Sequence, residues 1–353
     1  MEALVGMDSH IQDVVSLLCI ESIDVRMVGL WGMPGIGKTT IAEVVCERIC
    51  NQFEGCCFLS NVREKSQKND SIDLQMELLS QVLREGNLNT KIFNRGMNII
   101  KDRLHSMKAL IILDDVDHQQ QLEDLAGNHN WFGPRSRIII TSRDKQVLNR
   151  QVDAIYEVRE LKYDEARKLF CQYAFRQKCP TEDFMTLCGD ALYYTKGVPL
   201  ALKVLGSFLY EKSVHEWKSE LDKLKQFPNK KVQNVLKTSF DGLDDNEKDI
   251  FLDVAFFYKG QDKDFVREIL DSCFFFDTGI RSLLDKSLIT ISKNKLCMHD
   301  LLQEMGWEVV RQESIKDLGK RSRLLVHDDV NHVLTTNMVR PKCINSLFYM
   351  YKL

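Results

Sequence analysis

The sequence predicts a doubly wound parallel α/β sheet, then a helical bundle, then a winged helix. Three observations carry this expectation. Short apolar runs up to residue 158 alternate with polar or helical stretches, the pattern of a parallel sheet covered on both faces. A glycine-rich loop follows the first run and opens a helix. Beyond residue 158 the apolar period becomes helical, interrupted once by a β-hairpin pattern.

Composition bounds the rest. The chain has 353 residues, 44% hydrophobic and 28% charged, with 48 Lys and Arg against 51 Asp and Glu for a net charge of −3. At roughly 150 residues per domain this suggests two to three domains, each able to bury a core. The near-neutral balance argues against a chain that coats nucleic acid or anionic membrane. The acidic start, Met1-Glu2-Ala3-Leu4-Val5-Gly6-Met7-Asp8, is unlike a signal peptide. Apolar runs such as Val14 to Ile20 and Phe251 to Tyr258 fall well short of the roughly 18 residues of a spanning helix. Eleven cysteines contain no C-x-x-C pair, and most read as small core residues in a reducing compartment, the cytoplasm or nucleus, and not as a disulfide or zinc framework.

Val25 to Trp31 is the first buried strand, and Ile41, Val44, Val45 and Ile49 then repeat at helical spacing. Further strands are expected at Cys56 to Leu59, Ala109 to Leu113, Arg137 to Thr141 and Ile155 to Val158, with helices over Asp73 to Arg84 and Gly96 to Ser106. Between the first strand and its helix lies Gly32-Met33-Pro34-Gly35-Ile36-Gly37-Lys38-Thr39-Thr40, a full G-x-x-x-x-G-K-[ST] motif in the context it requires. Glycines let several N–H groups converge on phosphate oxygens, and the helix N-terminus adds positive potential. Lys38 would neutralise the β and γ phosphates and Thr39 would ligate Mg²⁺. Leu113-Asp114-Asp115, 76 residues downstream of Lys38, supplies the acid that holds the magnesium shell. Asp114 is the metal partner because it directly follows the apolar run, and Asp115 is placed to orient or deprotonate water. Arg143, just past the Arg137 to Thr141 strand, is a candidate γ-phosphate sensor at the carboxyl end of the sheet; the alternative is a solvated surface charge.

In the second half, Asp164 to Phe175 carries Ala166, Leu169, Phe170 and Tyr173 on one stripe, with Asp164 as the expected N-cap. Phe184 to Thr195, Leu200 to Tyr210 and Lys212 to Leu224 continue a helical bundle, punctuated by Lys196-Gly197-Val198-Pro199, where Gly ends one helix and Pro begins the next. Phe227-Pro228-Asn229 marks a boundary. Helices are expected at Val232 to Phe240, Asp245 to Phe256, Asp264 to Ser272 and Gly279 to Asp285, then a hairpin pairs Leu288 to Ile291 with Lys295 to Met298. Arg281, Lys286, Lys293 and Lys295 are matched by Asp277 and Asp285, so a structural winged helix is favoured over a nucleic-acid reader. By themselves His299 and Asp300 read as a hydrogen-bonded pair in the core.

Six motifs then stand in order: G-M-P-G-I-G-K-T-T, L-I-I-L-D-D-V-D, S-R-I-I-I-T-S-R-D, G-V-P-L-A-L, F-L-D-V-A-F-F and M-H-D-L-L-Q-E-M-G. In this order and spacing the chain resembles the NB-ARC module of plant intracellular immune receptors. Asp117, closing L-D-D-V-D, resembles the nucleotide-binding leucine-rich-repeat (NLR) subclass that begins with a TIR domain. The resemblance implies an α/β P-loop NTPase of the STAND/AAA+-like kind at residues 1–158, a helical domain at 159–228, and a winged-helix domain with an extension at 229–337, leaving a divergent tail at 338–353.

It also implies an ADP/ATP switch of plant innate immunity, closed with ADP and opened to oligomerise with ATP, with at most slow ATP hydrolysis. Carried over residue by residue, Val5 would border the adenine and Gly35, Ile36, Gly37, Lys38, Thr39 and Thr40 would wrap the phosphates. Pro199 would pack on the base or ribose, and His299 of Met298-His299-Asp300 would touch the ADP β-phosphate with Asp300 fixing its orientation. Partners would be the nucleotide, a second copy or a full-length NLR, with neither membrane nor nucleic acid expected. The sequence as it stands, Met1 to Leu353, holds neither a TIR domain nor an L-x-x-L-x-L repeat. The expectation is therefore a truncated product or isolated switch module without NAD-cleaving activity. The alternatives are a nucleotide-regulated DNA-binding transcription regulator, marked by steeply salt-dependent duplex binding, and another P-loop ATPase or kinase, which would need a phosphoryl-acceptor pocket.

Overall fold

Five parallel strands form the first element of the fold: β1 (Arg26–Trp31), β2 (Gly55–Leu59), β3 (Ala109–Val116), β4 (Arg137–Ser142) and β5 (Ala154–Glu157), in the spatial order β2-β3-β4-β1-β5. The structure is a computed structural model, and it describes residues 6–68, 71–83, 98–176, 181–224, 228–270, 275–315, 317–324 and 333. Burial explains why the strands order this way. The three central strands are almost continuously buried, whereas edge strand β2 alternates and edge strand β5 stays partly exposed, as expected where only the middle of a sheet is covered on both faces. Chain order and spatial order differ, because β1 lies between β4 and β5 and the chain leaves it to build β2 and β3 on the far side. Such a reversal opens a crevice at the carboxyl ends of the strands, where a ligand can enter.

The register places Leu113 of β3 beside Ile140 of β4, and Trp31 of β1 beside Ser142. Between Leu113 and Val116 the pairing of β3 with β4 shifts. That irregularity turns the two acids of L-D-D-V-D out of the ladder. Ile111, Ile112, Leu113, Ile138, Ile139 and Ile140 are fully buried. Arg137, also fully buried, closes the opposite end of β4: its guanidinium donates to the carbonyls of Cys19 at 2.5 Å, Asp24 at 2.7 Å and Ser22 at 2.8 Å. These bonds tie down the turn after the helix Asp8–Leu18.

The chain divides into two compact units, one drawn from Met1–Phe170 with Gly197–Leu200, the other from Cys171–Lys196 with Ala201–Leu353. Every strand expected for the sheet is present. The helices Asp8–Leu18, Val62–Lys68, Gln119–Ala126, Lys145–Asn149 and Asp300–Glu313 were not anticipated, since most are short or hidden inside polar stretches. The expected N-cap Asp164 instead lies in the first turn of a helix that begins at Tyr163. Of the cysteines read as core, only Cys57 and Cys188 among the described ones are buried, and Cys19 is exposed. The tail 338–353 lies outside the described residues. Among them no helix is long and apolar enough to cross a membrane.

In the second unit an aromatic cluster anchors the helical bundle. Trp217 stacks on Phe175 at 5.3 Å and meets Phe184 edge-on at 5.0 Å, while its Nε1 donates to the Leu209 carbonyl at 2.8 Å; burying an indole requires such a partner. The helix Lys230–Asp241 is capped by Asn229. Next comes Asp245–Asp253, opened by an Asp244–Glu247 capping box. The expected helix to Phe256 is regular only to Asp253. Val254–Tyr258 widens to i→i+5 turns, with Lys259 N bonded to Val254 O at 2.9 Å. The widened turn leaves the Ala255 carbonyl to side chains, and Gln303 Nε2 and Trp307 Nε1 donate to it at 2.8 and 3.1 Å. The wing, β6 (Thr290–Ser292) with β7 (Lys295–Cys297), turns through Lys293 and Asn294. Both residues have positive φ, as a tight two-residue hairpin requires.

A buried acid and a partly buried one make stability predictions. Arg323 and Asp253, each 7% exposed, share a 2.6 Å bond, and Arg323 also donates to Asp249, whose side chain is half exposed. Asp253→Ala leaves a buried guanidinium without its main counter-charge. It should cost about 3–5 kcal/mol in denaturant unfolding, against less than about 1 kcal/mol for Asp249→Ala. Glu304 is pushed up to about 7 from 4.5, first by burial and then by the charge of Asp300, against a lowering hydrogen bond from Tyr194. The folded state therefore binds the extra proton between pH 4.5 and about 7, so stability should fall as pH rises through that window and level off above it. Glu304→Gln should remove this slope and be the more stable form at pH 8 by roughly 1–3 kcal/mol. Melts across the pH range check both the sign and the window.

Candidate nucleotide-binding site

The glycine loop leaves β1 and enters the helix Lys38–Ile49 through three residues with positive φ: Gly32 at 152°, Gly35 at 76° and Gly37 at 102°. Two of these need glycine for space as well as conformation. A Cβ on Gly35 would lie 2.9 Å from the Leu200 side chain, and one on Gly32 would lie 2.9 Å from the Val158 carbonyl. Ile36 is 1% exposed and its Cγ2 packs over Gly32, so only its backbone can face a ligand. Thr40 is half-buried in the first helical turn.

Lys38 folds back over this loop. Its Nζ donates to the carbonyls of Gly32 at 2.5 Å and Met33 at 3.0 Å. Burial, followed by the neighbouring charge of Arg143, pushes the ammonium down to about 7, with Asp115 and Asp114 opposing. A cation held at this cost of desolvation is poised for anionic oxygen.

Thr39 and Asp114 meet as the motif predicts: the hydroxyl donates to Asp114 Oδ1 at 2.7 Å. Asp114 is 2% exposed, and the same oxygen accepts a second 2.7 Å bond from the Thr141 hydroxyl of β4. Thr141 in turn accepts from the Asp115 amide at 2.8 Å. One hydroxyl thus fixes both acids. A hydroxyl and a carboxylate are hard oxygen donors suited to Mg²⁺, which takes few protein ligands and fills its octahedron with water and phosphate. The pair therefore fits the ion, and among the described residues no cluster of three His, Cys, Asp or Glu competes for it.

Asp115 is held differently. It has φ 57°, and its carboxylate accepts from Arg63 Nε at 2.9 Å and pairs with Arg143 Nε at 3.2 Å. Arg143 therefore stands at the site and is not a solvated charge. Arg63 and Thr141 were not singled out from the sequence. Thr141 looked like the end of an apolar strand and Arg63 like one charge among several in V-R-E-K-S-Q-K.

Pro199 comes to the loop by a backbone bond: Leu200 N donates to Gly35 O at 3.1 Å, and a Cβ on Gly37 would sit 3.9 Å from Pro199 Cγ. Lys196 and Gly197, with φ 47° and 78°, end the helix Glu182–Thr195, and Pro199 opens the next, as the sequence implied. Val5 lies outside the described residues.

In the second unit, Met298 is buried and His299 caps the helix Asp300–Glu313, its Nδ1 accepting from Leu301 N at 3.2 Å. Asp300 reaches two lysines, Lys259 and Lys196, the latter at 3.2 Å. Burial opposes its ionisation, but hydrogen bonds and charge from Lys259 and then Lys196 hold the carboxyl below its usual range. The histidine ring is thus oriented by its cap bond, while the aspartate serves as counter-ion to two cations. Around the wing, Lys286 pairs with Glu247 and Arg267 with Asp277.

Two parts of the chain match known domain families. The NB-ARC domain matches residues 7–180, and the winged-helix domain of Roq1-like disease resistance proteins matches residues 244–314. The chain is 48% identical to the disease resistance protein RUN1 of Vitis rotundifolia over 94% of its own length and 25% of that protein's. It is 42% identical to the TMV resistance protein N of Nicotiana glutinosa, over 96% of this chain and 30% of that one. Among solved structures, a STAND-class signal transduction ATPase from Pyrococcus horikoshii aligns over all of this chain and 48% of its own, at 19% identity and a TM-score of 0.36. The chain spans about a quarter of the length of curated relatives such as RUN1. With its P-loop, its paired acids at the end of β3 and its winged helix, the chain belongs to the NB-ARC family of plant disease resistance proteins.

Proposed function

We propose that this chain is the nucleotide-operated switch of an intracellular plant immune receptor, closed with ADP and opened to assemble with ATP. The observation that carries the proposal is the 2.7 Å bond between Thr39 and Asp114 beneath a loop of three positive-φ glycines. It supports a phosphate cradle with a magnesium site at its edge. In this reading the backbone of Gly32, Gly35, Ile36, Gly37 and Thr40 donates to phosphate oxygens, and Lys38 exchanges its two carbonyl partners for the β and γ phosphates. Thr39 and Asp114 hold Mg²⁺, which supplies charge neutralisation when bound. Arg143 senses the γ-phosphate, Asp115 orients water for slow hydrolysis, and Pro199 packs against the base or ribose.

Met298, His299 and Asp300 form the segment that distinguishes the two states, with His299 the group that favours ADP. A contact made in one state only biases the equilibrium by its own free energy. Asp300 supports this role by holding Lys259 and Lys196 together, since without it two ammonium groups are left without their shared anion.

Lys38→Arg should lower ADP affinity by at least about 100-fold, because a longer planar cation cannot reproduce a buried ammonium contact. Unchanged ADP retention in that variant would overturn the cradle. Asp300→Val should shift the nucleotide that co-purifies with the chain from ADP towards ATP, read by chromatography of the released nucleotide. Equal ADP occupancy with no change in assembly state would count against the switch while leaving nucleotide binding intact.

A further inference from the structure

We propose that Arg63 restrains Asp115 and thereby sets how long a bound nucleoside triphosphate survives. The proposal rests on the nucleotide-switch reading above and adds its regulation. Asp115 sits where the pairing of β3 with β4 shifts, in a left-handed conformation at φ 57° that a non-glycine residue adopts only when its surroundings insist. The Thr141 hydroxyl, 2.8 Å from its amide, holds that conformation. The turn directs the carboxylate to two guanidiniums, with Oδ2 on Arg63 and Oδ1 on Arg143. The Asp115 side chain is only 17% exposed, and those of Arg63 and Arg143 are 27% and 23% exposed, so both pairs act outside full solvent screening.

The two arginines differ in position. Arg143 follows β4, the strand that neighbours β1 and the glycine loop, and Lys38 feels its charge. An incoming γ-phosphate therefore competes for Arg143. Arg63 follows β2, on the far side of β3, where Leu59 is registered with Leu113. Asn61, with φ 53°, turns the chain from β2 into the helix Val62–Lys68 and brings Arg63 to Asp115 from that side. Arg63 stays on the carboxylate after Arg143 has been drawn to phosphate.

Hydrolysis needs that carboxylate. A water proton passes to an Asp115 oxygen and the water oxygen bonds to the γ-phosphorus. The bond from that phosphorus to the β–γ bridging oxygen breaks, giving ADP and inorganic phosphate. While Arg63 occupies Oδ2 and fixes the plane of the group, the carboxylate cannot turn freely toward the water. Arg63 is thus a positioning residue that slows turnover, and an ATP state persists long enough to signal.

The test uses the full 353-residue chain with ATP hydrolysis at saturating Mg²⁺ and, separately, the affinity for a fluorescent ADP. Arg63→Gln and Arg63→Ala should each raise kcat on the order of tenfold while KM for ATP and the ADP affinity stay within about twofold. Arg63→Lys, which keeps a cation, should recover part of the restraint. Asp115→Asn in the Arg63→Gln background should abolish the gain. The proposal is overturned if both Arg63→Gln and Arg63→Ala keep or lower kcat with ADP binding intact, or if the gain survives Asp115→Asn. Failure of the unsubstituted chain to bind either nucleotide would instead remove the switch reading itself, and the Arg63 proposal with it.

Discussion

One buried carboxylate organises the candidate site. Asp114, 2% exposed, accepts from Thr39 of the helix after the glycine loop and from Thr141 of β4, both at 2.7 Å. Three elements far apart in the chain, separated by 75 and 27 residues, are thereby fixed on a single oxygen. A buried anion is tolerable only when hydrogen bonds replace lost water. The two hydroxyls do this, and they also set the geometry. Thr141 passes the constraint to the Asp115 amide, so the adjacent acid inherits its strained backbone from the same bond. The acids are neighbours in sequence with different environments: Asp114 accepts from two neutral hydroxyls, and Asp115 faces two guanidiniums.

The second unit solves a comparable problem with a backbone group. Widening the helix at Val254–Tyr258 frees the Ala255 carbonyl, and Gln303 and Trp307 of the helix Asp300–Glu313 occupy it. The same helix carries Asp300 to Lys259 at the end of the widened turn. Gly306 lets the two segments approach, since a Cβ there would stand 3.0 Å from that of Ala255. F-L-D-V-A-F-F and M-H-D-L-L-Q-E-M-G are thus two halves of one packing arrangement, and Asp253 of the first reaches on to Arg323 through a buried ion pair. Wide turns of this kind recur where a helix must present groups a regular helix would misplace.

Much of this was legible in the sequence, for identifiable reasons. The sheet could be read because buried parallel strands are continuous apolar runs, and the glycine loop because its spacing is imposed by phosphate geometry. Thr39 and Asp114, which share a 2.7 Å bond, were paired from the chemistry expected of a magnesium site. Arg63 was not legible, because its role depends on β2 lying beside β3, a neighbour relation that no local pattern encodes. Nor was Lys196, whose bond to Asp300 spans more than a hundred positions. The helix Gln119–Ala126 was missed because its capping box pairs Gln121 with His118 in place of the usual Ser, Thr, Asp or Asn at the N-cap. The resemblance implied that Asp300 orients His299; in the structure His299 Nδ1 accepts from Leu301 N, and Asp300 pairs with Lys259 and Lys196.

The G-V-P-L segment shows how a short motif can serve two environments at once. Gly197 to Leu200 belong with the sheet unit, where Leu200 N bonds to the glycine loop and Gly197 O accepts from Leu161 N at 3.0 Å. Lys196, the residue before them, belongs with the helical unit, where its ammonium lies 3.3 Å over the Tyr193 ring and pairs with Asp300. Both Lys196 and Gly197 are left-handed, so the change of unit falls at two residues whose backbone is already committed to a sharp turn.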